Sequence, residues 1–178
     1  MGVIKRAYFS GGCFWCTEAI YRRLKGVLSV KPGFSGGNIK NPSYKEVCTG
    51  RTGHAECIEI EFDTSEVSVT ELLKINFATH DPTQLNAQGN DKGTQYRSAI
   101  YCTTNEQKLA AHQLIEFVEK EKLFLKPIVT EVKMATEFFE AELEHHNYYQ
   151  ENPEQPYCQW IINPKIEKLE KFFSSKID

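Results

Sequence analysis

Between residues 4 and 102 the apolar side chains switch between the period of a strand and the period of a helix. The order is strand, helix, strand, strand, helix, strand. That order is the split βαβ pattern of a ferredoxin-like two-layer sandwich, so it limits the chain to an α/β (α+β) fold. Residues 4–9 read as a strand that Gly11-Gly12 interrupts. A helix over 14–24 carries Ala19, Ile20 and Leu24 inward, with Arg22, Arg23 and Lys25 at its C-terminal end, where cations suit the helix dipole. Gly26 ends it, and 27–34 reads as a second strand. Residues 55–62 alternate, with Cys57, Glu59 and Glu61 on one face and Ile58, Ile60 and Phe62 on the other, as a half-buried strand should. A helix over 69–77 and a strand over 98–102 complete the core. A long amphipathic helix at 106–122, a strand at 128–132 and a largely helical tail follow. The expectation is a single domain over 1–178, with 140–178 as a helical C-terminal extension.

Composition bears on class rather than fold. The 178 residues are 40% hydrophobic and 25% charged, with net charge −3, which is enough apolar material for a packed core. Lys and Arg are dispersed, which argues against nucleic acid as a partner. No apolar run is long enough to span a membrane. Residues 1–10 lack the apolar stretch of a secretory signal, and Arg6 stands where a myristoylation signal needs Ser or Thr. A cytoplasmic monomer is expected. In such a compartment the six cysteines, Cys13, Cys16, Cys48, Cys57, Cys102 and Cys158, read as thiols. Cys57 and Cys102 fall inside strands and read as small buried apolar groups.

The chemistry concentrates in Gly11-Gly12-Cys13-Phe14-Trp15-Cys16, which follows a strand and opens a helix. First-turn N–H groups are unpaired and the dipole is positive there, which should lower the pKa of Cys13 and favour its thiolate. A structural cysteine at a helix start would not need two glycines before it. Phe14 and Trp15 point to different sides of a helix, so they cannot share one core stripe, and one or both can wall an apolar pocket. Ordinary packing is the equally weighted alternative for each. Cys13 and Cys16 form a Cys-x-x-Cys pair, the spacing of a dithiol redox site. No second such pair or spaced His pair follows, so no metal is expected.

Glu56 begins the 55–62 strand on the face of Ile58, Ile60 and Phe62. A carboxyl there must be neutral or paired, and a desolvated one can serve as a general acid near neutral pH. A surface Glu at a strand end is the alternative. The polar loop 80–96 is long enough to be functional, with Asp91 and Tyr96 as its polar contributors, while Asp81-Pro82 and Asn86 read as turn residues. Tyr44 follows Asn41-Pro42-Ser43 and offers another hydroxyl.

Taken together, GGCFWCTE at 11–18, GFSGG at 33–37, YKEVCTGRTGHAE at 44–56, HDPTQLNAQGNDKGTQYRS at 80–98 and NPEQPYC at 152–158 resemble the A-type peptide methionine sulfoxide reductases. The resemblance implies reduction of the S-epimer of methionine sulfoxide, free or in proteins, with no cofactor and with thioredoxin as reductant. It implies that Cys13 is the nucleophile and that Phe14 and Trp15 hold the substrate methyl. It also implies that Glu56 is the acid, that Tyr44 and Tyr96 donate to the sulfoxide oxygen, and that Asp91 is the site's second carboxylate. A two-layer α/β fold with a split βαβ core is implied as well. Attack would leave Cys13 as a sulfenic acid, which a second thiol condenses into a disulfide.

The chain departs from the family where Cys16 replaces a frequent Gly, Phe34 a common Tyr and Ala87 a frequent Arg, and where a glycine-rich, cysteine-bearing tail is missing. Cys158 is the first expectation for the resolving thiol, Cys16 the rival and Cys48 third. Two other functions compete. One is a general dithiol-disulfide oxidoreductase using Cys13 and Cys16, which would need no acid. The other is a non-catalytic module that binds methionine peptides.

Overall fold

The computed structural model describes residues 2–178. They form β1 (Ile4–Ser10), α1 (Phe14–Tyr21), β2 (Val27–Ser35), α2 (Tyr44–Cys48), β3 (Ala55–Asp63), α3 (Val69–Thr79), β4 (Ala87–Gln88), β5 (Asp91–Lys92), β6 (Ala99–Cys102), α4 (Asn105–Lys120), β7 (Glu131–Met134), β8 (Phe138–Glu140), α5 (Tyr148–Glu151) and α6 (Asn163–Phe172). Six strands make one sheet in the order β7-β6-β1-β3-β2-β8. Its centre, β6-β1-β3-β2, is antiparallel throughout. α1 joins β1 to β2 across β3, and α3 leads from β3 back to β6 across β1. This is the split βαβ core expected from the sequence.

Apolar alternation explains the layers. Phe9, Ile58, Ile60 and Phe62 face the helices and are fully buried with Ile20, Leu72 and Leu73. Ser68 and Glu71 cap α3 reciprocally, each side chain bonding the other residue's backbone N–H. The second face of β3 is also covered, so the strand is not half-buried. Cys57 packs with Ala99 and Tyr101 beneath Tyr8 and Phe138. Glu59 tolerates that face because the Tyr8 hydroxyl donates to its Oε2 at 2.8 Å. Cys57 and Cys102 are buried thiols, as expected.

Three boundaries differ from the sequence reading. α1 stops at Tyr21, and Leu24 leaves it to make a β-bridge with Ile177. The strand expected at 128–132 lies at Glu131–Met134, where it pairs parallel with β6. The extension is not helical from its start, because β8 adds Phe138–Glu140 to the far edge of the sheet beside β2. None of these short edge strands carries an alternation of its own. Among the described residues no helix is long and apolar enough to cross a membrane.

Candidate active site

β1 hands the chain to Gly11-Gly12, and the turn ends with Cys13 as the N-cap of α1 in extended conformation. Gly12 has φ +83°, and a Cβ there would lie 2.8 Å from Cγ of Gln88, so both conformation and space call for glycine. The Gly12 N–H donates to the carbonyl of Tyr96 at 3.2 Å, tying the Cys13 turn to the 80–96 loop.

Glu56 enters from β3 and is 1% exposed. Its Oε1 accepts the backbone N–H of Phe14 at 3.1 Å. Its Oε2 is buried without a protein partner. Burial pushes the carboxyl up to about 8, and the negative charge of Asp91 adds to this. The Phe14 N–H and a hydrogen bond from the Cys13 thiol oppose it without prevailing. Cys13 and Glu56 are therefore neighbours, and the carboxyl carries a proton at neutral pH.

The expected lowering of the Cys13 pKa does not hold in this resting site. Burial raises the thiol well above its ordinary value, and Glu56 and Cys16 push the same way, against the Trp15 N–H. The physical reason is twofold. The thiol is buried, and one first-turn N–H of α1 is directed at Glu56 instead of the sulfur. The resting pair is thus a neutral thiol beside a neutral acid.

Aromatic rings pack beside it. Phe14 is buried among Phe34, Tyr44 and His145, with ring centroids 5.6, 6.1 and 5.5 Å away. Trp15 lies face to face with Tyr148 at 3.6 Å and meets Tyr157 edge-on at 5.8 Å. Its indole N–H donates to Nδ1 of His145 at 3.2 Å, which fixes both rings. Tyr44 is the first residue of α2, where Ser43 and Glu46 form a capping box, and its ring centroid lies 4.2 Å from that of His145. Tyr96 ends a short 3-10 turn. Burial raises both phenols, and in each case Glu56 is the next cause, so both hydroxyls stay protonated close to the acid.

Asp91 sits on β5 of a small hairpin with β4 that the sequence reading had as loop. Its Oδ2 accepts the Tyr157 hydroxyl at 2.6 Å, and the same hydroxyl lies 3.6 Å from Sγ of Cys16. Asp81 caps the turn at Thr83 and Asn86 adopts φ +49°, both in the turn roles expected of them.

The structure brings together Cys13, Phe14, Trp15, Tyr44, Glu56, Asp91 and Tyr96. Sequence reasoning missed His145, Tyr148 and Tyr157, which arrive from the extension. Tyr157 had one signal, its place beside Cys158. His145 and Tyr148 lie in a short irregular stretch without periodicity. The extension is anchored by Glu18, whose Oε1 accepts the Asn147 N–H at 2.7 Å and whose Oε2 pairs with Arg22.

Of the candidate resolving thiols, Cys16 is buried on α1 and Cys158 is fully buried at the head of a π-helical turn (Cys158–Ile162) that runs into α6. Cys48 is exposed. Glu142, Glu144 and His145 bring donor atoms within 4.8 Å of one another. Nδ1 of His145 is engaged by Trp15 and the Glu142 and Glu144 carboxylates are exposed.

Comparison with known proteins bears on the chain as a whole. The peptide methionine sulfoxide reductase family model matches residues 5–177. "Peptide methionine sulfoxide reductase MsrA" of Saccharolobus solfataricus is 52% identical over 171 residues, covering 96% of each chain. Methionine sulfoxide reductase A of Corynebacterium diphtheriae superposes with a TM-score of 0.80 at 38% identity, over 84% of this chain and 76% of that one. Mxr1 of Saccharomyces cerevisiae, solved in complex with Trx2, shares the fold at a TM-score of 0.56 and 19% identity, over 82% and 84% of the two chains.

Proposed function

Because this chain belongs to the peptide methionine sulfoxide reductase family, we propose that its neutral Cys13–Glu56 pair reduces the S-epimer of methionine sulfoxide, free or in proteins, to methionine. It is a thiol-dependent oxidoreductase, a peptide-methionine (S)-S-oxide reductase. The observation that carries the mechanism is the buried Glu56 carboxyl, raised to about 8, with one unpartnered oxygen and the Cys13 thiol as neighbour.

A sulfoxide oxygen leaves poorly unless it is protonated. Glu56 gives its proton to that oxygen as Cys13 Sγ attacks the sulfur, and it collects the thiol's proton in exchange. The fully protonated site is therefore the reactive one. The hydroxyls of Tyr44 and Tyr96 donate to the same oxygen as negative charge gathers on it. Phe14 and Trp15 take the methyl group, which turns the sulfur toward Cys13. Asp91 keeps Tyr157 against the site edge. A second proton from Glu56 lets the substrate oxygen leave as water, and a water molecule then attacks Cys13 Sγ, returns a proton to Glu56 and breaks the bond to the substrate sulfur, so that methionine departs and Cys13 is left as a sulfenic acid.

A second thiol of the chain, Cys158 or Cys16, then closes a disulfide, and thioredoxin reopens it. The yeast relative solved with Trx2 supports that choice of reductant. No cofactor or metal enters this scheme. We read 1–178 as one catalytic domain with the 140–178 extension completing its pocket, acting as a monomer. The reaction consumes reduced thiols, which suits the cytoplasm.

The test is incubation with each epimer of a methionine sulfoxide peptide and dithiothreitol, followed by mass analysis. The S-epimer should lose one oxygen and the R-epimer none. Equal turnover of both, or of neither, would overturn the reading.

A further inference from the structure

We propose that Cys16 resolves the Cys13 sulfenic acid, closing a disulfide across the first turn of α1 while Tyr157 and Asp91 receive the Cys16 proton. This deepens the proposed function and rests on it. Cys13 caps the helix and Cys16 stands three residues on, with its N–H donating to the Cys13 carbonyl at 3.1 Å. Helix geometry puts Cα atoms so spaced about 5 Å apart, inside the span of about 4.4–6.8 Å that a disulfide bridges. Both sulfurs are already buried, so rotation about χ1 brings them together without opening the fold.

The surroundings of Cys16 supply the proton path. The single Tyr157 hydroxyl proton goes to Asp91 Oδ2 at 2.6 Å, so the hydroxyl oxygen faces Cys16 as an acceptor at 3.6 Å. Cys16 Sγ attacks Cys13 Sγ. The S–S bond forms and the Cys13 S–O bond breaks. The Cys16 proton moves to Tyr157 as that of Tyr157 moves to Asp91, and Asp91 returns a proton to the departing hydroxyl, which leaves as water. Cys16 is oxidised by one unit and the Cys13 sulfur reduced by one. Cys158 is less available, because it is fully enclosed at the start of a helical turn continuous with α6, and moving it requires local opening. On this account the cysteine in the first turn of α1 is a working thiol.

Trypsin separates the alternatives, since Cys13 and Cys16 share the peptide 7–22 while Cys158 lies in 134–165. The reduced full-length chain is freed of reductant, given one equivalent of S-epimer peptide, alkylated under acid conditions and digested. The expected product is peptide 7–22 unalkylated and lighter by two hydrogens, with 134–165 alkylated. A cross-link between 7–22 and 134–165, with Cys16 alkylated, overturns the proposal. If no methionine is released, the underlying function fails and this step with it. Cys16→Ser should still release one equivalent of methionine but leave Cys13 as a sulfenic acid that dimedone traps. Prompt disulfide formation in that variant contradicts the proposal. Should Cys16→Ser not fold, the unmodified chain decides alone.

Discussion

The turn between β1 and α1 and the stretch from Ala141 to Ile162 meet in one site but are built differently. The turn and the start of β3 place Cys13, Phe14 and Glu56 within the fully buried core, held by the sheet ladder and two glycines. The later stretch contributes His145, Tyr148 and Tyr157 from short turns, fastened by single polar contacts such as Asn147 to Glu18 and Tyr157 to Asp91. We read the difference as two tasks, bond making in a buried, fixed geometry and recognition by a wall that a substrate can reach past.

If that division is right, the largest loss belongs to the core. Cys13→Ser should abolish methionine release from the S-epimer, measured by product analysis without other reductases. Release at the wild-type rate would mean that the turn is not where bonds are made. Glu56→Gln comes next. Removing a positioned acid should slow single-turnover release by about 10²–10⁴-fold, with the circular dichroism spectrum unchanged. A simple dithiol exchanger would be nearly indifferent to it, so a small effect would revive that alternative.

The smallest effect belongs to the anchored wall. Glu18→Ala leaves the Asn147 N–H without its acceptor and Arg22 without its partner, at a cost of about 1–3 kcal/mol. Amide exchange should quicken around 141–160, and KM should rise more than the single-turnover rate falls. A collapse of the chemical rate instead, with the wall still protected from exchange, would erase the distinction between the two regions.

The same contrast decides what could be read from the sequence. The split βαβ core was legible because each of its strands and helices carries its own periodicity, as in 55–62 and 69–77. Cys13 was legible because Gly11-Gly12 at a strand–helix junction has a local cause, and Glu56 because a carboxyl on an apolar face demands an explanation. β8, the β4–β5 hairpin and the ring stack of Trp15 on Tyr148 were not legible. β8 and the ring stack arise from contacts between residues far apart in sequence, and the hairpin strands, two residues each, are too short to show a period. The raised Cys13 thiol was misjudged for a related reason. The helix dipole can be read locally, whereas the burial that outweighs it is a property of the whole fold.

The most direct measurement is the pH profile of single-turnover methionine release from the S-epimer peptide. Glu56 must be protonated to act, and its folded value lies near 8. The rate should therefore hold level through neutral pH and fall as pH rises past about 8, while Glu56→Gln should be slow and lack that step. A wild-type profile that stays flat or climbs through the same range would contradict the account.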